Sequence, residues 1–348
     1  MIIMLITTRK QTKKVMIGNI QLGHCNHVVI QSMTNTKTSD VTKTLLQIRQ
    51  LVGLGCELVR VAILDKEDAL ALRTLVKQAP CPLIADIHYN YAFAVKAIEA
   101  GVAKIRINPH NIKKQDDLKK IVDCAKKHNT AIRIGVNQGS ILDVKKHKAS
   151  DLVNEAVKYV KLFEAWGFYK IVVSIKTSNP LLTPEVYTLA AQKIKYPLHL
   201  GVTEAGSRDI AIIKTTVGLA PLLQKGIGDT IRVSISGSPL QEPIVAKRIL
   251  NVSGLYPNMV NIVSCPTCGR LQWDLSELLA KVEKYTENIN KHLTIAIMGC
   301  SVNGIGEALK ADVALYGTKD EAIIYKNGHK YKVVPHKLAF AELTKIIK

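Results

Sequence analysis

Short apolar runs rich in β-branched residues alternate with amphipathic stretches along most of the chain. The runs predict eight strands, at residues 28–30, 58–62, 83–87, 103–107, 131–136, 170–174, 197–202 and 230–235. Apolar positions at helical spacing predict helices between them, at 41–54, 66–78, 91–100, 115–128, 151–166, 184–194 and 209–223. Eight strand–helix units of this spacing predict an α/β protein with a parallel TIM (β/α)8 barrel, and a short hairpin around Gly18 is predicted to close its bottom.

A smaller α+β domain is predicted after the barrel. The stretch 251–258, rich in Gly, Ser, Pro and Asn, follows a helix at 242–250 and is typical of a linker. Beyond it the pattern predicts strands leading into Cys265 and Cys300, a strand at 312–316, helices at 276–287 and 337–347, and a hairpin with an Asn-Gly turn at 327–328. We therefore expect a barrel domain at 1–254 and an α+β domain at 255–348.

The composition is that of an ordinary globular protein. The 348 residues are 47% hydrophobic and 22% charged, and the length fits a barrel of about 250 residues plus a smaller domain. Seven cysteines, four of them isolated in apolar contexts, argue against a disulfide framework and predict a reducing, cytoplasmic location. The apolar run at 1–6 is too short for a signal peptide and no run approaches membrane-spanning length, so no membrane association is expected.

The formal net charge of +20 is compatible with a nucleic-acid partner, because basic proteins gain affinity from neutralising phosphates. However, the excess is spread over lysines on predicted helix faces, and four Phe and two Trp offer few platforms for base stacking. A general bias toward lysine accounts for most of the charge. We therefore expect no nucleic-acid partner, with a basic RNA-binding module as the alternative.

Polar residues collect at the carboxyl ends of the predicted strands, where TIM barrels have their active sites. The four arginines and the lysine among them would repel one another unless an anion is bound, and guanidinium groups suit phosphate oxygens. A single arginine is as readily explained by a structural ion pair, but four on eight strands favour a common ligand. The sequence therefore predicts a small polyanion, most simply a diphosphate, at a mouth that includes Arg60, Asp86, His88, Arg106, Asn108, Arg133, Asn137, Lys176, Glu204, Arg232 and Ser234.

Two places in this mouth carry candidates for proton transfer. Asp86 and His88 lie two residues apart at one strand end, so their side chains share a face. Glu204, between two glycines and among cations, is a candidate proton donor or acceptor. Its structural alternative is to balance the charge of Lys176 or Arg232.

A cysteine constellation marks the smaller domain. Cys265 and Cys268 form a C-x-x-C pair, Cys300 follows a predicted strand, and no second pair exists that would complete a four-cysteine or Cys2His2 zinc site. Three thiolates indicate either an incomplete zinc site or an iron-sulfur cluster with one ligand that is not cysteine. Glu307, seven positions after Cys300 across a stretch whose two glycines predict a loop, is the candidate fourth ligand. An uncoordinated turn is the remaining alternative.

Seven segments together resemble the bacterial 4-hydroxy-3-methylbut-2-enyl diphosphate synthases. They span nearly the whole chain in the order of that family: Gln31–Thr36, Ala85–His88, Arg106–Pro109, Arg133–Asn137, Gly201–Gly206, Cys265–Arg270 and Gly299–Glu307. The chain resembles the compact two-domain type, without the additional domain inserted in plant-like members. The pattern of three cysteines and a glutamate is the most specific part of the resemblance.

The resemblance implies an iron-sulfur oxidoreductase of isoprenoid precursor biosynthesis. It would convert 2-C-methyl-D-erythritol 2,4-cyclodiphosphate, by reductive ring opening and loss of water, to 4-hydroxy-3-methylbut-2-enyl diphosphate. A 4Fe-4S cluster on Cys265, Cys268, Cys300 and Glu307 would receive electrons from flavodoxin or ferredoxin. The alternative function is another phosphate-binding TIM-barrel enzyme with a structural zinc site.

The resemblance also implies roles for the residues of the mouth. Glu204, Asp86 and His88 would handle protons at the carbon skeleton. The family is a homodimer in which the cluster domain of one chain covers the barrel of the other. The diphosphate would be held by Arg60, Arg106, Asn108, Arg133, Asn137, Lys176, Arg232 and Ser234.

Overall fold

The computed structural model describes residues 8–137, 148–266, 268–287 and 289–347. These residues form two compact units, one that ends at Leu255 and one that begins at Tyr256. None of the helices in the described ranges combines the length and the apolar character needed to cross a membrane.

Eight parallel strands of the first unit form a barrel. After a hairpin of β1 (Val15–Ile17) and β2 (Ile20–Leu22), the strands are β3 (Val29–Met33), β4 (Leu58–Ala62), β5 (Leu83–Ile87), β6 (Lys104–Ile107), β7 (Ala131–Asn137), β8 (Ile171–Lys176), β9 (His199–Leu200) and β10 (Thr230–Ile231). Their order is β8-β7-β6-β5-β4-β3-β10-β9, and a parallel bridge between Val173 on β8 and Leu198 beside β9 closes the ring. The predicted (β/α)8 barrel is confirmed.

Helices follow the strands of the barrel. They are α1 (Val41–Gly53), α2 (Lys66–Gln78), α3 (Tyr91–Glu99), α4 (Gln115–Lys127), α5 (Ala149–Ala165), α6 (Leu182–Lys193), α7 (Arg208–Gln224) and α8 (Gln241–Val252), with a 3-10 turn at Pro109–Asn111. Side chains of Asp40, Asp65 and Asn90 accept hydrogen bonds from the first turns of α1, α2 and α3, which fixes where these helices begin. Helix α8 extends two residues into the predicted linker, because the left-handed backbone comes only at Gly254.

Strands β9 and β10 are shorter than the predicted runs 197–202 and 230–235. Single backbone hydrogen bonds continue beyond them, from Arg232 N to the Leu200 carbonyl at 3.1 Å and from Thr203 N to the Thr177 carbonyl at 3.0 Å. The backbone then turns at Glu204, where φ is +48°. This departure from the ladder brings the segment after β9 to the mouth of the barrel.

The barrel interior changes character from bottom to top. At the bottom, Val15 and Ile17 of the hairpin pack on apolar residues of five strands, namely Val29, Leu58, Ile84, Ala131 and Val172. Two residues further along each of these strands, on the same inward face, stand Gln31, Arg60, Asp86, Arg133 and Ser174. The apolar plug therefore closes one end, and on these five strands the polar groups lie nearer the carboxyl end. One cation, Lys104 on β6, is aligned with Ile84 and Ala131 of the apolar cluster and is fully buried.

The second unit is an α+β sheet domain. Its strands are β11 (Val260–Ser264), β12 (Leu293–Met298), β13 (Val313–Gly317), β14 (Glu321–Lys326) and β15 (His329–Pro335), in that spatial order, the first three parallel and the last two antiparallel. Its helices are α9 (Ser276–Thr286), α10 (Ser301–Ala308) and α11 (Ala339–Ile347). Asn327 and Gly328 both have positive φ, of 49° and 76°, as the predicted type I′ turn requires.

The segment between Cys300 and Glu307 is helix α10, not the predicted loop. Packing explains the glycine that suggested a loop: a Cβ on Gly304 would lie 2.5 Å from the Cβ of Tyr316 on the neighbouring strand β13. The glycine therefore serves the close approach of helix and sheet. The other glycine, Gly306, has open space around it.

Candidate active site

Strand register places the charged residues of the mouth in one row. Asp86 is aligned with Arg106 in the neighbouring strand, and Arg106 is aligned with Arg133 in the next. Side chains aligned in neighbouring parallel strands point to the same side of the sheet. Asp86, Arg106 and Arg133 are therefore neighbours inside the barrel.

Asp86 is the central anion of this row. The side chain of Arg106 donates to it at 3.2 Å, and Arg60 Nε and His88 Nε2 each lie 3.6 Å from its second oxygen. Burial alone would raise the pKa of the Asp86 carboxyl, but Arg60, His88, Arg106 and Arg133 together hold that pKa well below its usual range. Asp86 therefore stays ionised and orients the arginines beside it.

A second buried carboxylate, Glu242 in the first turn of α8, is a residue that sequence reasoning missed. Arg232 Nε and Nη2 donate to its two oxygens at 3.1 and 3.0 Å, and Ser32 Oγ donates at 2.6 Å. Two parallel N–H···O bonds fix the plane of a guanidinium group. A lone acidic residue in an otherwise apolar helix start was the available signal, and it was assigned only to the helix.

Two glycines lie directly against two of the cations. A Cβ on Gly135 would lie 2.8 Å from Arg106 Nε, and a Cβ on Gly201 would lie 2.9 Å from Lys176 Nζ. Neither glycine has the left-handed backbone that would by itself explain the residue type. The absence of a side chain at these two positions is explained by the space that the cations occupy.

The mouth is electrostatically set for an anion. Lys176 and Arg133 are 6% and 1% exposed. Burial, and then the charges of Arg133 and Arg60, lower the pKa of Lys176 well below its usual range. Cations in such surroundings are stabilised by a bound negative group.

The two asparagines of the predicted mouth are also placed by hydrogen bonds. Asn108 is buried and accepts from His110 N at 3.2 Å, which caps the 3-10 turn. With its amide oxygen assigned to face Arg106, Asn137 accepts from Arg106 Nη2 at 3.3 Å. These contacts place Asn137 in the Asp86–Arg106 network.

Two cavities open in this region of the first unit. One, of about 260 Å³, is lined by Glu204, Arg232 and Ser234 among others, and the other, of about 310 Å³, by Asp86 and His88 with mainly apolar neighbours. Glu204 is exposed and has a φ of +48°, a strained value for a glutamate. Strain of this kind is most often retained where a side chain has to be presented to a ligand.

In the second unit, the cysteines lie at one edge of the sheet. Strands β11 and β12 are parallel neighbours with Ser264 aligned to Ile297, so Cys265 and Cys300 both follow the carboxyl ends of adjacent strands. Gln272 N donates to the Gly299 carbonyl at 3.0 Å, which ties the loop after Cys268 beside Cys300. The fold thus brings all three cysteines to the same edge.

The side chains at this end of the sheet are of the types that bind iron-sulfur clusters. Hydrogen bonds and charge from Arg270 lower the pKa of the exposed Cys268 thiol, and thiolates are the ligands of iron-sulfur clusters. Glu307 follows Cys300, the N-cap of α10, by seven residues, nearly two helical turns, so it lies on the same side of that helix. Its carboxylate contacts Lys310 at 3.2 Å.

The structure does not assemble these residues into a finished site. Within the described ranges, which omit residue 267 between two of the cysteines, no three His, Cys, Asp or Glu side chains are grouped as metal ligands. Cys265, Cys268 and Cys300 therefore share one end of the sheet without forming such a group in the described ranges, and Glu307 follows on α10.

Comparison with known proteins decides the family. The family model described as GcpE TIM-barrel domain matches residues 12–247, and that described as GcpE protein C-terminal domain matches residues 261–348. The chain belongs to the GcpE family. The resemblance drawn from the seven segments is confirmed.

Curated members of the GcpE family are similar to this chain over nearly its full length. A protein of Malacoplasma penetrans is 52% identical over 98% of this chain and 95% of its own, and one of Caldanaerobacter subterraneus is 46% identical over 99% and 98%. Both are named 4-hydroxy-3-methylbut-2-en-1-yl diphosphate synthase (flavodoxin).

Solved structures support the fold alone. A dihydropteroate synthase of Yersinia pestis superposes with a TM-score of 0.52 at 11% identity, over 69% of this chain and 98% of its own. The corresponding enzyme of Vibrio fischeri gives 0.51 at 12% identity, over 69% and 97%. Likeness at this level of identity shows a shared barrel and says nothing of the substrate.

Proposed function

We propose that this protein is a 4-hydroxy-3-methylbut-2-enyl diphosphate synthase of isoprenoid precursor biosynthesis. It would open the ring of 2-C-methyl-D-erythritol 2,4-cyclodiphosphate with two electrons and eliminate water. Family membership at 46–52% identity supports the reaction. The structural observation that carries the proposal is the cationic mouth, in which Asp86 and Glu242 fix arginines around a space suited to a diphosphate.

The diphosphate is held by cations already oriented before it arrives. Arg106 and Arg232 are locked by Asp86 and Glu242, so little side-chain freedom is lost on binding. A neighbouring phosphate would favour the charged form of Lys176, whose pKa is lowered by burial and by nearby arginines. The full proposed binding set is Arg60, Arg106, Asn108, Arg133, Asn137, Lys176, Arg232 and Ser234.

Proton transfer is assigned to Glu204 with His88. Glu204 lines the cavity that also contains Arg232 and Ser234, and its strained backbone presents the carboxyl to that space. His88 stands 3.6 Å from Asp86, which can hold the proton of the ring in place. Asp86, kept ionised by its arginines, supports His88 and orients cations, a narrower role than direct proton transfer.

Cys265, Cys268, Cys300 and Glu307 are the proposed ligands of a 4Fe-4S cluster. When bound, the cluster would supply electrons singly and offer a Lewis-acidic iron to the substrate. Glu307 would be the one ligand of the four that is not a thiolate, and its carboxylate lies 3.2 Å from Lys310 Nζ. Arg270 favours the thiolate of Cys268 that binding requires.

Flavodoxin is the proposed electron donor, since the names of the relatives contain it, and ferredoxin is the alternative. We further propose a cytoplasmic homodimer. The cytoplasmic location rests on the isolated cysteines of the sequence, which argue for a reducing compartment. Another phosphate enzyme with structural zinc is not favoured, because both domains match one family.

The deciding experiment is anaerobic turnover by the full chain after reconstitution with iron and sulfide. With reduced flavodoxin, the cyclodiphosphate should be converted to the hydroxymethylbutenyl diphosphate, and ferredoxin tested in parallel identifies the better donor. Sedimentation of the same sample tests the dimer. A colourless protein that contains stoichiometric zinc and leaves the cyclodiphosphate unchanged would contradict the proposal.

A further inference from the structure

The thioether of Met33, at the end of β3, lies between two arginines of the mouth. Arg60 Nε donates a hydrogen bond to its sulfur at 3.1 Å, and Arg232 Nη1 donates to the same sulfur at 3.7 Å. Both arginines belong to the proposed diphosphate-binding set. A single uncharged side chain therefore contacts two of the groups that would hold the substrate.

Strand order accounts for this position. In the barrel, β3 lies between β4, which carries Arg60, and β10, which ends one residue before Arg232. Met33 is aligned with Arg60 in the strand register and is half-buried. It also shares the inward face of Val29, which stands four residues earlier and packs in the apolar plug. The sulfur is thus placed inside the barrel at the level of the arginines.

The carboxylates of the mouth bind the two arginines separately. Glu242 accepts from Nε and Nη2 of Arg232, and the remaining nitrogen, Nη1, is the one that contacts Met33. Asp86 lies 3.6 Å from Arg60 Nε, the same nitrogen that donates to the sulfur. The two terminal nitrogens of Arg60 take no part in either contact. The sulfur therefore joins two cations whose charges are balanced at other places.

A thioether has suitable chemistry for a place between two cations. It is neutral, polarisable and a weak hydrogen-bond acceptor, so it can orient N–H groups without neutralising the guanidinium charges. Phosphate oxygens form charge-assisted hydrogen bonds with arginine, which are stronger than bonds to a neutral acceptor. A carboxylate at the same place would bind both arginines and repel the diphosphate. The neutral sulfur leaves them available to the ligand.

We propose that Met33 is a positioning residue that directs Arg60 and Arg232 toward the diphosphate by accepting a hydrogen bond from each. This inference rests on the proposed diphosphate site and assigns the residue that sets the geometry of two of its cations. Methionine also fills irregular gaps in protein interiors, a role that needs volume but no acceptor. The two roles predict different orders of affinity for a series of substitutions at position 33.

Calorimetric titration of the reconstituted full chain with inorganic pyrophosphate tests the role. Met33→Leu nearly keeps the volume and removes the acceptor, so the dissociation constant should rise about fivefold, the equivalent of one ordinary hydrogen bond. Met33→Gln restores a neutral acceptor of similar length and should stay within about twofold of the unaltered protein. Met33→Glu should weaken binding at least about a hundredfold, because it places a negative charge beside the anion.

A control variant and a kinetic measurement accompany the titration. Met16→Leu changes a methionine that is also half-buried, on β1 at the opposite end of the barrel, and should leave the dissociation constant unchanged. In turnover, Met33→Leu should raise the Michaelis constant for the cyclodiphosphate and leave kcat unchanged, since the sulfur contacts binding groups only.

The inference is overturned if Met33→Leu binds pyrophosphate as tightly as the unaltered protein while Met33→Gln binds it more weakly, because the methionine then only fills space. Equal weakening in Met16→Leu would overturn it as well. If the unaltered protein does not bind pyrophosphate, both this role and the proposed diphosphate site are contradicted. The expected order of affinities in a chain that leaves the cyclodiphosphate unchanged would support the inference and contradict only the proposed reaction.

Discussion

Arg232 and Glu242 form a two-pronged ion pair inside the barrel, with N–O distances of 3.1 and 3.0 Å and a glutamate that is 2% exposed. The pair joins a residue after the last strand to the helix that completes the barrel. A cation proposed to bind substrate is thus held by the same contact that fastens the last helix. Its removal should affect both binding and stability.

We expect Glu242→Gln to destabilise the protein by about 3 kcal/mol, because Arg232 keeps its charge in a largely buried place without a carboxylate. The Michaelis constant for the cyclodiphosphate should also rise, since the guanidinium loses its fixed plane. Urea unfolding and steady-state kinetics measure the two effects. Glu277→Gln on the exposed surface is the control, and an equal loss of stability in both variants would contradict the assignment.

Gly201→Ala should displace Lys176, because the added Cβ would lie 2.9 Å from its ammonium nitrogen and 3.0 Å from the less movable backbone carbonyl oxygen of Arg232. We expect the Michaelis constant to rise about tenfold or more, with the fold retained, since small displacements of binding groups have large kinetic effects. Gly53→Ala is the matched control, because nothing lies within 4 Å of the added methyl there. Kinetics indistinguishable from the unaltered enzyme would show that Lys176 does not contact substrate from this position.

Asp86 should make folding depend on pH in the acid range. The pKa of Asp86 in the folded protein lies well below the ordinary value of about 3.9. The ionised carboxylate therefore contributes its full stabilisation above pH values of about 4, and this contribution is lost as the pH falls toward the folded-state pKa. We therefore expect the free energy of unfolding, measured with urea from neutral to acid pH, to fall less in Asp86→Asn than in the unaltered protein. Asp209→Asn, at an exposed site, should keep the full dependence.

Glu204→Gln should bind the cyclodiphosphate with nearly unchanged affinity and turn it over at least about a hundredfold more slowly, because the amide cannot transfer a proton. Calorimetric titration and anaerobic turnover separate the two quantities. Glu185→Gln, in the first turn of α6, is the control. Turnover at the normal rate would remove Glu204 from proton transfer.

Glu307→Ala should lower the iron and sulfide retained after anaerobic reconstitution, since three thiolates leave one iron without a protein ligand. The visible spectrum of the reconstituted protein and its metal content report the loss without reference to activity. Glu287→Ala, after the end of α9, should retain iron normally. A fully loaded cluster in Glu307→Ala would show that the fourth ligand lies elsewhere.

The sequence predicts some features of the fold and the site and misses others. The alternation of strands and helices, and the clustering of arginines at strand ends, followed from periods of two and 3.6 residues and from the rule for TIM barrels. The role of Glu242 did not, because an acidic residue near the start of a helix is ordinary there and only its contact with Arg232 distinguishes it. The helix at 301–308 was likewise missed, since Gly304 favours a loop locally and its packing on Tyr316 is visible only in three dimensions.

The sequence by itself determined the two-unit architecture, the charge character of the barrel mouth and the cysteine pattern, because these depend on residue type and spacing along the chain. The tertiary structure decided which carboxylates hold which arginines, and why Gly135 and Gly201 have no side chain. These relationships join residues from different strands, or from a strand end and a helix. Strand register and the closure of the barrel bring these residues together, and neither can be predicted from the local spacing of apolar residues.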